Sequence, residues 1–356
     1  MKTGILGLGQ WLPDTKRLND AWPDGFADAH AARIAGDFGA IQAKKEGDAI
    51  DQIVAKYAAA EGHDPFLGIR QRCVAHPKMT SREAEIHAAL AALEDAKVDA
   101  RDVDVVLSST AVPDRITPPT APAVAHAIGA ANAWAVGLDA VCASVVVGLE
   151  MASALVESGR ARTVLLTQSH LMTRAFPMMH PESPNVGDAA TAVVVGATER
   201  GGIRAICVRS NGAYADAVVW RRPKEADTPW WEPGGAFSMG SCDSARAREL
   251  MQDTVRVGAN ALREVCDVAR VPVDSVDVLA SVHPRRWVPR AIAEACGLPP
   301  ERAVTTADEL AHLGTCGVVT NLIAARSKGQ LERGRLVALY GQGAGFTRAA
   351  ALVEWG

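Results

Sequence analysis

The stretch Ala133-Trp-Ala-Val-Gly-Leu138-Asp-Ala-Val-Cys142-Ala-Ser-Val-Val-Val-Gly-Leu-Glu-Met-Ala-Ser153 sets the reading of this chain. Residues 133–138 form a short apolar run of strand character. A small-residue run of helical character then continues to about residue 158, so the segment reads strand, turn, helix. Cys142 falls at the turn, where unpaired amides and the positive end of the helix dipole favour a thiolate. Of the seven cysteines, this one has a setting suited to covalent catalysis.

Outward from that segment the same alternation repeats. Strand character is predicted at 3–9, 104–110, 163–167 and 190–195, with helices at 81–96 and 121–129. In the second half, strands are predicted near 203–210, 276–282, 335–340 and 347–354, with helices at 245–269, 287–296 and 315–328. Strands alternating with helices define an α/β protein with buried mixed sheets. Two halves of similar order, 1–200 and 201–356, suggest an internal duplication. Residues 19–64 are polar and alanine-rich and read as an inserted surface arm outside the core. Gly7-Leu-Gly9 near the N-terminus lacks the third glycine of a dinucleotide fingerprint, and Pro13 interrupts any helix there.

Composition narrows the class. The 356 residues are 48% hydrophobic and 22% charged, as in a well-packed globular protein. A formal net charge of −4 gives no basic field to recruit nucleic acid. No apolar run reaches membrane-spanning length, and the N-terminus lacks the apolar core of a signal peptide. The seven cysteines (73, 142, 207, 242, 266, 296 and 316) form no CxxC pair and no metal-binding spacing with histidine. An odd count without a secretory signal points to reduced thiols in the cytoplasm, and all but Cys142 are expected to be packing residues.

Two further features carry chemistry. His283 closes the strand at 276–282 and is followed at once by Pro284, a strand end at the mouth of an α/β sheet. A cysteine and a histidine together supply acyl transfer with a nucleophile and a proton shuttle. Gly341-Gln-Gly-Ala-Gly-Phe-Thr347, between the last two strands, can turn backbone amides inward as an oxyanion hole does.

From about residue 68 to the C-terminus the chain resembles the ketoacyl-acyl carrier protein synthase III type of the thiolase superfamily. The matching pieces are Gly68-Ile-Arg-Gln-Arg72, the Cys142 segment, Gly187-Asp188-Ala-Ala-Thr-Ala192, His283-Pro284 and the terminal glycine-rich segment. The resemblance implies a five-layered αβαβα fold of two pseudo-symmetric halves. It also implies a homodimer in which Cys142 accepts an acyl group from a thioester of coenzyme A or acyl carrier protein, with no further cofactor. By position Ala344 supplies an oxyanion amide beside that of Cys142, and Thr117 approaches the partner's pocket.

The departures from the family pattern matter as much. Condensing members hold the thioester carbonyl with His and Asn while malonate loses carbon dioxide. Here no asparagine occurs between His283 and Asn321, and the aligned position falls at Gly314 in His312-Leu-Gly-Thr-Cys-Gly317. Losing one oxyanion donor costs about 10²–10³ in rate. The departures resemble members that act as plain acyltransferases in natural-product pathways, passing the acyl group to a hydroxyl or amine of a sugar or aminocyclitol. The alternative is a decarboxylating condensing enzyme that primes fatty acid or polyketide synthesis.

Remaining candidates are assigned around that core. Asp308, ahead of its neighbour Glu309, is the candidate to orient His283, and Arg285, Arg286 and Arg290 are candidates to meet a phosphopantetheine phosphate or an acidic carrier protein. Trp220, Trp230 and Trp231 could wall a substrate, and Met172, Met178 and Met179 an acyl pocket. The adenine clamp of coenzyme A-using relatives has no counterpart at Gly62-His-Asp-Pro-Phe66-Leu, which favours a carrier-protein donor.

Overall fold

The computed structural model describes residues 2–221 and 238–356, so Trp230 and Trp231 lie outside the described residues. Ten main strands form two sheets. In the first half, β1 (Lys2–Trp11) precedes a ribbon of β2 (Lys16–Leu18) and β3 (Gln71–Cys73); β4 (Val105–Thr110), β5 (Trp134–Gly137), β6 (Thr163–Leu171) and β7 (Asp188–Thr198) follow. In the second, β8 (Gly202–Ser210) precedes a ribbon of β9 (Val219–Arg221) and β10 (Ser238–Gly240), then β11 (Val278–Ser281), β12 (Ala303–Val304), β13 (Leu336–Gly343) and β14 (Thr347–Glu354).

The sheet orders are β1-β7-β6-β4-β5 and β8-β14-β13-β11-β12. In each sheet the three strands at one end are parallel and the remaining two pairings antiparallel. Both halves therefore trace the same path, and the duplication that is faint in the sequence is plain in the topology.

Nine helices are described: α1 (Phe26–Ala43), α2 (Ala49–Ala59), α3 (Ser81–Ala96), α4 (Ala121–Ile128), α5 (Ser144–Glu157), α6 (Ser244–Ala269), α7 (Val288–Ala295), α8 (Ala307–Leu310) and α9 (Cys316–Ser327). α3 and α4 cover the outer face of the first sheet, α6 and α7 that of the second, and α5 and α9 lie between the sheets. These are the five layers αβαβα. β6 is buried along its whole length because helices cover both of its faces. α5 is able to occupy the centre because its residues are small or apolar nearly all round, as a helix packed on two sides requires.

The arm is more deeply anchored than its composition suggests. Asp48 caps α2 by accepting from the Ile50 and Asp51 amides, and Arg256 of α6 pairs with the same carboxylate at 2.8 Å. α2 buries Val54, Ala55 and Ala58, with Val54 joining the outer core of the second half. Trp22 and Phe26 are also buried, and the Arg72 guanidinium stacks 4.5 Å over Trp22 while donating to the Pro184 carbonyl at 2.6 Å. Arg72 of the Gly-Ile-Arg-Gln-Arg motif thus ties the arm to the body. Of the six cysteines expected to be packing residues, five are buried and Cys242 is exposed. Among the described residues no helix is long and apolar enough to cross a membrane.

Candidate active site

The turn carrying Cys142 is held from three sides. The Leu138 amide donates to the Ser108 carbonyl at 2.8 Å, which ends β5 against β4. The Asp139 carboxylate accepts from the Val141 amide at 2.9 Å, and the Ser144 hydroxyl accepts from the Ala140 amide while donating to the Val141 carbonyl. Val141 is left at φ +50°, a strained conformation for a β-branched residue. A single 3₁₀ turn, Val141–Ala143, then leads into α5.

β13 crosses this turn at close range. A Cβ on Gly341 would lie 2.8 Å from Ala143 Cα, and one on Gly343 only 2.1 Å from the Ala140 carbonyl oxygen and 3.3 Å from the Cys142 nitrogen. The glycines of the terminal motif let the strand run against the nucleophile's backbone. Ala344 follows directly, half-buried, in the turn between β13 and β14.

The sulfur is not a resting thiolate. Burial, with Asp139 adding to it, pushes the Cys142 thiol up to about 12, against what a helix N-terminus alone would do. The imidazole within hydrogen-bond reach of the sulfur is that of His312, not that of His283. His312 places its Nε2 3.8 Å from Cys142 Sγ, and its Nδ1 lies 3.1 Å from the His283 carbonyl oxygen. A carbonyl only accepts, so Nδ1 carries the proton and Nε2 turns a lone pair to the sulfur. The His312 backbone is fixed as well, its amide donating to the Asn185 carbonyl at 2.7 Å and its carbonyl accepting from the Gly187 amide at 3.1 Å.

His283 forms the layer behind. It is buried, and its Nε2 donates to the Ala311 carbonyl at 2.8 Å. Its Nδ1 faces the Asn321 carboxamide nitrogen at 3.4 Å. Asn321 is oriented by donating to the Ser281 carbonyl and accepting from the Thr306 amide and hydroxyl. Gly317 leaves room for this ring, since a Cβ there would stand 2.8 Å from His283 Cε1. The sequence-predicted Cys142–His283 pair thus becomes Cys142–His312, with the His283 carbonyl setting the tautomer of His312.

A third ring joins the cluster. His170, on β6, donates from Nδ1 to the Gly187 carbonyl at 2.9 Å, and its ring stands 5.6 Å from that of His312, edge to face. Gly314, at φ +53°, is the reason it fits: a Cβ there would come within 2.5 Å of His170 Cδ2. Burial lowers all three imidazoles, His170 to about 4 and His312 well below its ordinary value. They are neutral at physiological pH.

The other predicted residues are engaged elsewhere. Asp308 does not orient His283; its carboxylate pairs with Arg286 at 2.7 Å. Arg286 also meets Glu61 at 2.6 Å, and Arg285 grips both oxygens of Glu182 at 2.8 Å. Burial would raise Glu182, but Arg285 outweighs it and holds the carboxyl below its usual range. Both arginines are therefore bound to carboxylates instead of being presented to a phosphate. Thr117 lies in an exposed loop, Trp220 is 38% exposed on β9, and Met172 packs in a small core with Phe176 and Val186. The sequence reading missed His312, His170 and Asn321 as site residues. The short His312-Leu-Gly314 segment is the one signal that could have exposed the first.

A cysteine at the head of a central helix, between two sheets of identical path, is the arrangement of the thiolase fold. The comparisons agree. Residues 137–212 match the family described as 3-oxoacyl-[acyl-carrier-protein (ACP)] synthase III, and residues 266–355 match its C-terminal part. The β-ketoacyl-[acyl-carrier-protein] synthase III of Bordetella petrii is 30% identical over 300 residues, 81% of this chain and 85% of that protein. The crystal structure of the β-ketoacyl-[acyl carrier protein] synthase III from Thermus thermophilus matches with a TM-score of 0.78 at 25% identity, covering 99% of each chain. The priming β-ketosynthase of the R1128 polyketide pathway matches with a TM-score of 0.79 at 23% identity, over 100% of this chain and 97% of that one. The chain belongs to the 3-oxoacyl-acyl carrier protein synthase III family.

Proposed function

We propose that this family member is a ping-pong acyltransferase that loads an acyl group onto Cys142 and passes it to a hydroxyl or amine of a small natural-product acceptor. The donor is a thioester of acyl carrier protein or coenzyme A. The observation that carries this reading is the set of partners facing each ring nitrogen in the site. His312 turns a lone pair to the sulfur, the Nε2 proton of His283 is already given to Ala311, and position 314 has no side chain. Decarboxylative condensation needs N–H donors on the malonyl carbonyl, and these rings offer none.

In the first half-reaction the Cys142 proton passes to His312 Nε2 as the sulfur attacks the donor carbonyl. The amides of Cys142 and Ala344 take the oxyanion. The carbon–sulfur bond to the donor then breaks, and the departing thiolate recovers the proton. In the second half-reaction the acceptor attacks the acyl-cysteine, its proton is taken by a base, and Cys142 is released. A homodimer fits the same reading. Among the described residues β5 is a free sheet edge with Trp134 50% and Val136 39% exposed, and the loop packed at its end exposes Ile116 at 74%, apolar surface that a second copy would cover.

The second reading is a condensing enzyme. The names of the relatives favour it over acyl transfer to a heteroatom. Carbon dioxide release separates the two. Protein carrying an acyl-Cys142 adduct is mixed with malonyl thioester, and the expected result is release no faster than with Cys142→Ala. Rapid release that depends on the adduct would overturn the acyltransferase proposal.

A further inference from the structure

We infer that Asn185 is a positioning residue that fixes the tautomer of His312, so that the ring turns a lone pair and not a proton to Cys142. This rests on the Cys142–His312 pairing and the acyl-cysteine reading above. His312 has a lone pair on Nε2 because its Nδ1 proton is given to the His283 carbonyl at 3.1 Å. That bond joins two segments whose ends lie 29 residues apart in the chain, and it lasts only while both keep their places.

Asn185 holds both segments. Its backbone carbonyl accepts from the His312 amide at 2.7 Å, beside a parallel bridge between Val186 and His312. Its side-chain Nδ2 donates to the Pro284 carbonyl at 3.0 Å, the next carbonyl in the chain after the one that takes the His312 proton. The contacts close a circuit that runs from the Asn185 carbonyl through His312 and the His283–Pro284 backbone to the Asn185 carboxamide. Arg285 also donates to the Pro284 carbonyl at 3.1 Å, but from the adjacent residue, so that bond adds no tie to His312.

The residue type follows from its surroundings. Asn185 is only 5% exposed, and Nδ2 also faces Glu182 Oε2 at 3.4 Å. Two acceptors on one side give the carboxamide a single orientation, nitrogen towards them. A carboxylate in its place would repel both acceptors, and an aliphatic side chain would leave the Pro284 carbonyl without this donor. With the circuit open, His312 is free to carry its proton on Nε2. A nitrogen that already bears a proton takes none from the sulfur.

The experiment uses the full chain labelled with ¹⁵N-histidine, the His312 signals being assigned by their absence in His312→Gln. In the wild type at neutral pH, Nδ1 is expected to be protonated and Nε2 bare. In Asn185→Leu, which keeps the side-chain shape and removes the donor, the Nε2-protonated form is expected to gain population. Acylation of Cys142 by acetyl coenzyme A, timed by intact mass, should fall about 10²-fold at neutral pH, with the KM for the donor changed by less than about threefold. The loss should shrink as the pH rises, because direct ionisation of the thiol then bypasses the imidazole. Asn185→Asp, which cannot donate to a carbonyl, is read in the same two ways if Asn185→Leu does not fold. An unchanged His312 tautomer in a folded variant would overturn the assignment, as would a loss equal at every pH. Wild-type protein that forms no adduct would instead overturn the acyl-cysteine reading, and the tautomer populations would then decide this assignment by themselves.

Discussion

Replacing His312 by Gln separates a thiol activated by its neighbour from one activated by the helix. With the Cys142 thiol up at about 12, free ionisation at pH 8 would leave about one sulfur in 10⁴ as thiolate. Gln keeps a polar side chain of similar length at this position while the basic lone pair facing the sulfur is lost. Acylation by acetyl coenzyme A, timed by intact mass, should fall by about 10³–10⁴ at pH 7–8. The pH profile should change with it. In the wild type His312 is held well below its ordinary value, so the base form is present at neutral pH and the rate is flat, falling only as acid reaches that lowered value. In His312→Gln the rate should climb about tenfold per pH unit, because hydroxide must now make the thiolate. A variant within tenfold of wild type, or one with a flat profile, would refute the pairing, and so would a larger loss in His283→Gln.

Two other substitutions test the frame around the site. Gly343→Ala places a methyl 2.1 Å from the Ala140 carbonyl oxygen, forcing β13 off the nucleophile turn by about 1 Å; acylation should drop about 10²-fold and stability by about 1–3 kcal/mol, checked by intact mass and urea unfolding. Glu85 is wholly buried among the hydroxyls of Ser108, Thr167 and Ser169, and burial pushes its carboxyl up to about 7 from an ordinary 4.5. That rise is worth about 3 kcal/mol, present below pH 4.5 and lost as the pH climbs through 7. Glu85→Gln should remove this loss; equal pH dependence in urea unfolding of variant and wild type between pH 5 and 8 would count against it.

Local chemistry made much of the fold readable. The helix at about 81–96 was predicted from its apolar spacing, and the structure starts it at a capping box of Thr80 and Glu83. β6 was read only to residue 167, yet it runs to Leu171. Gln168, Ser169 and His170 are polar, and they are buried there only because other elements supply partners and cover. The site shows the same limit. Cys142 was legible from its own turn, but its partner lies 170 residues away and is selected by how the Asn185–Gly187 segment clamps the His312 backbone. His283 looked suitable from its strand end. What removed it was a single carbonyl, that of Ala311, which lies in a backbone of φ +60° that no pattern in the sequence announces. The arm misled for the opposite reason, since its alanine-rich helix hides a small buried face within a polar composition.

The Val145 amide, in the first turn of α5, donates to the Thr315 hydroxyl just before α9 at 2.8 Å. One bond therefore registers the nucleophile's helix against the segment that delivers its base. A displacement confined to the outer layers leaves this bond untouched. A shift between α5 and α9 would change the gap from sulfur to imidazole directly. The central layer is thus the part of the molecule whose displacements bear most directly on the site.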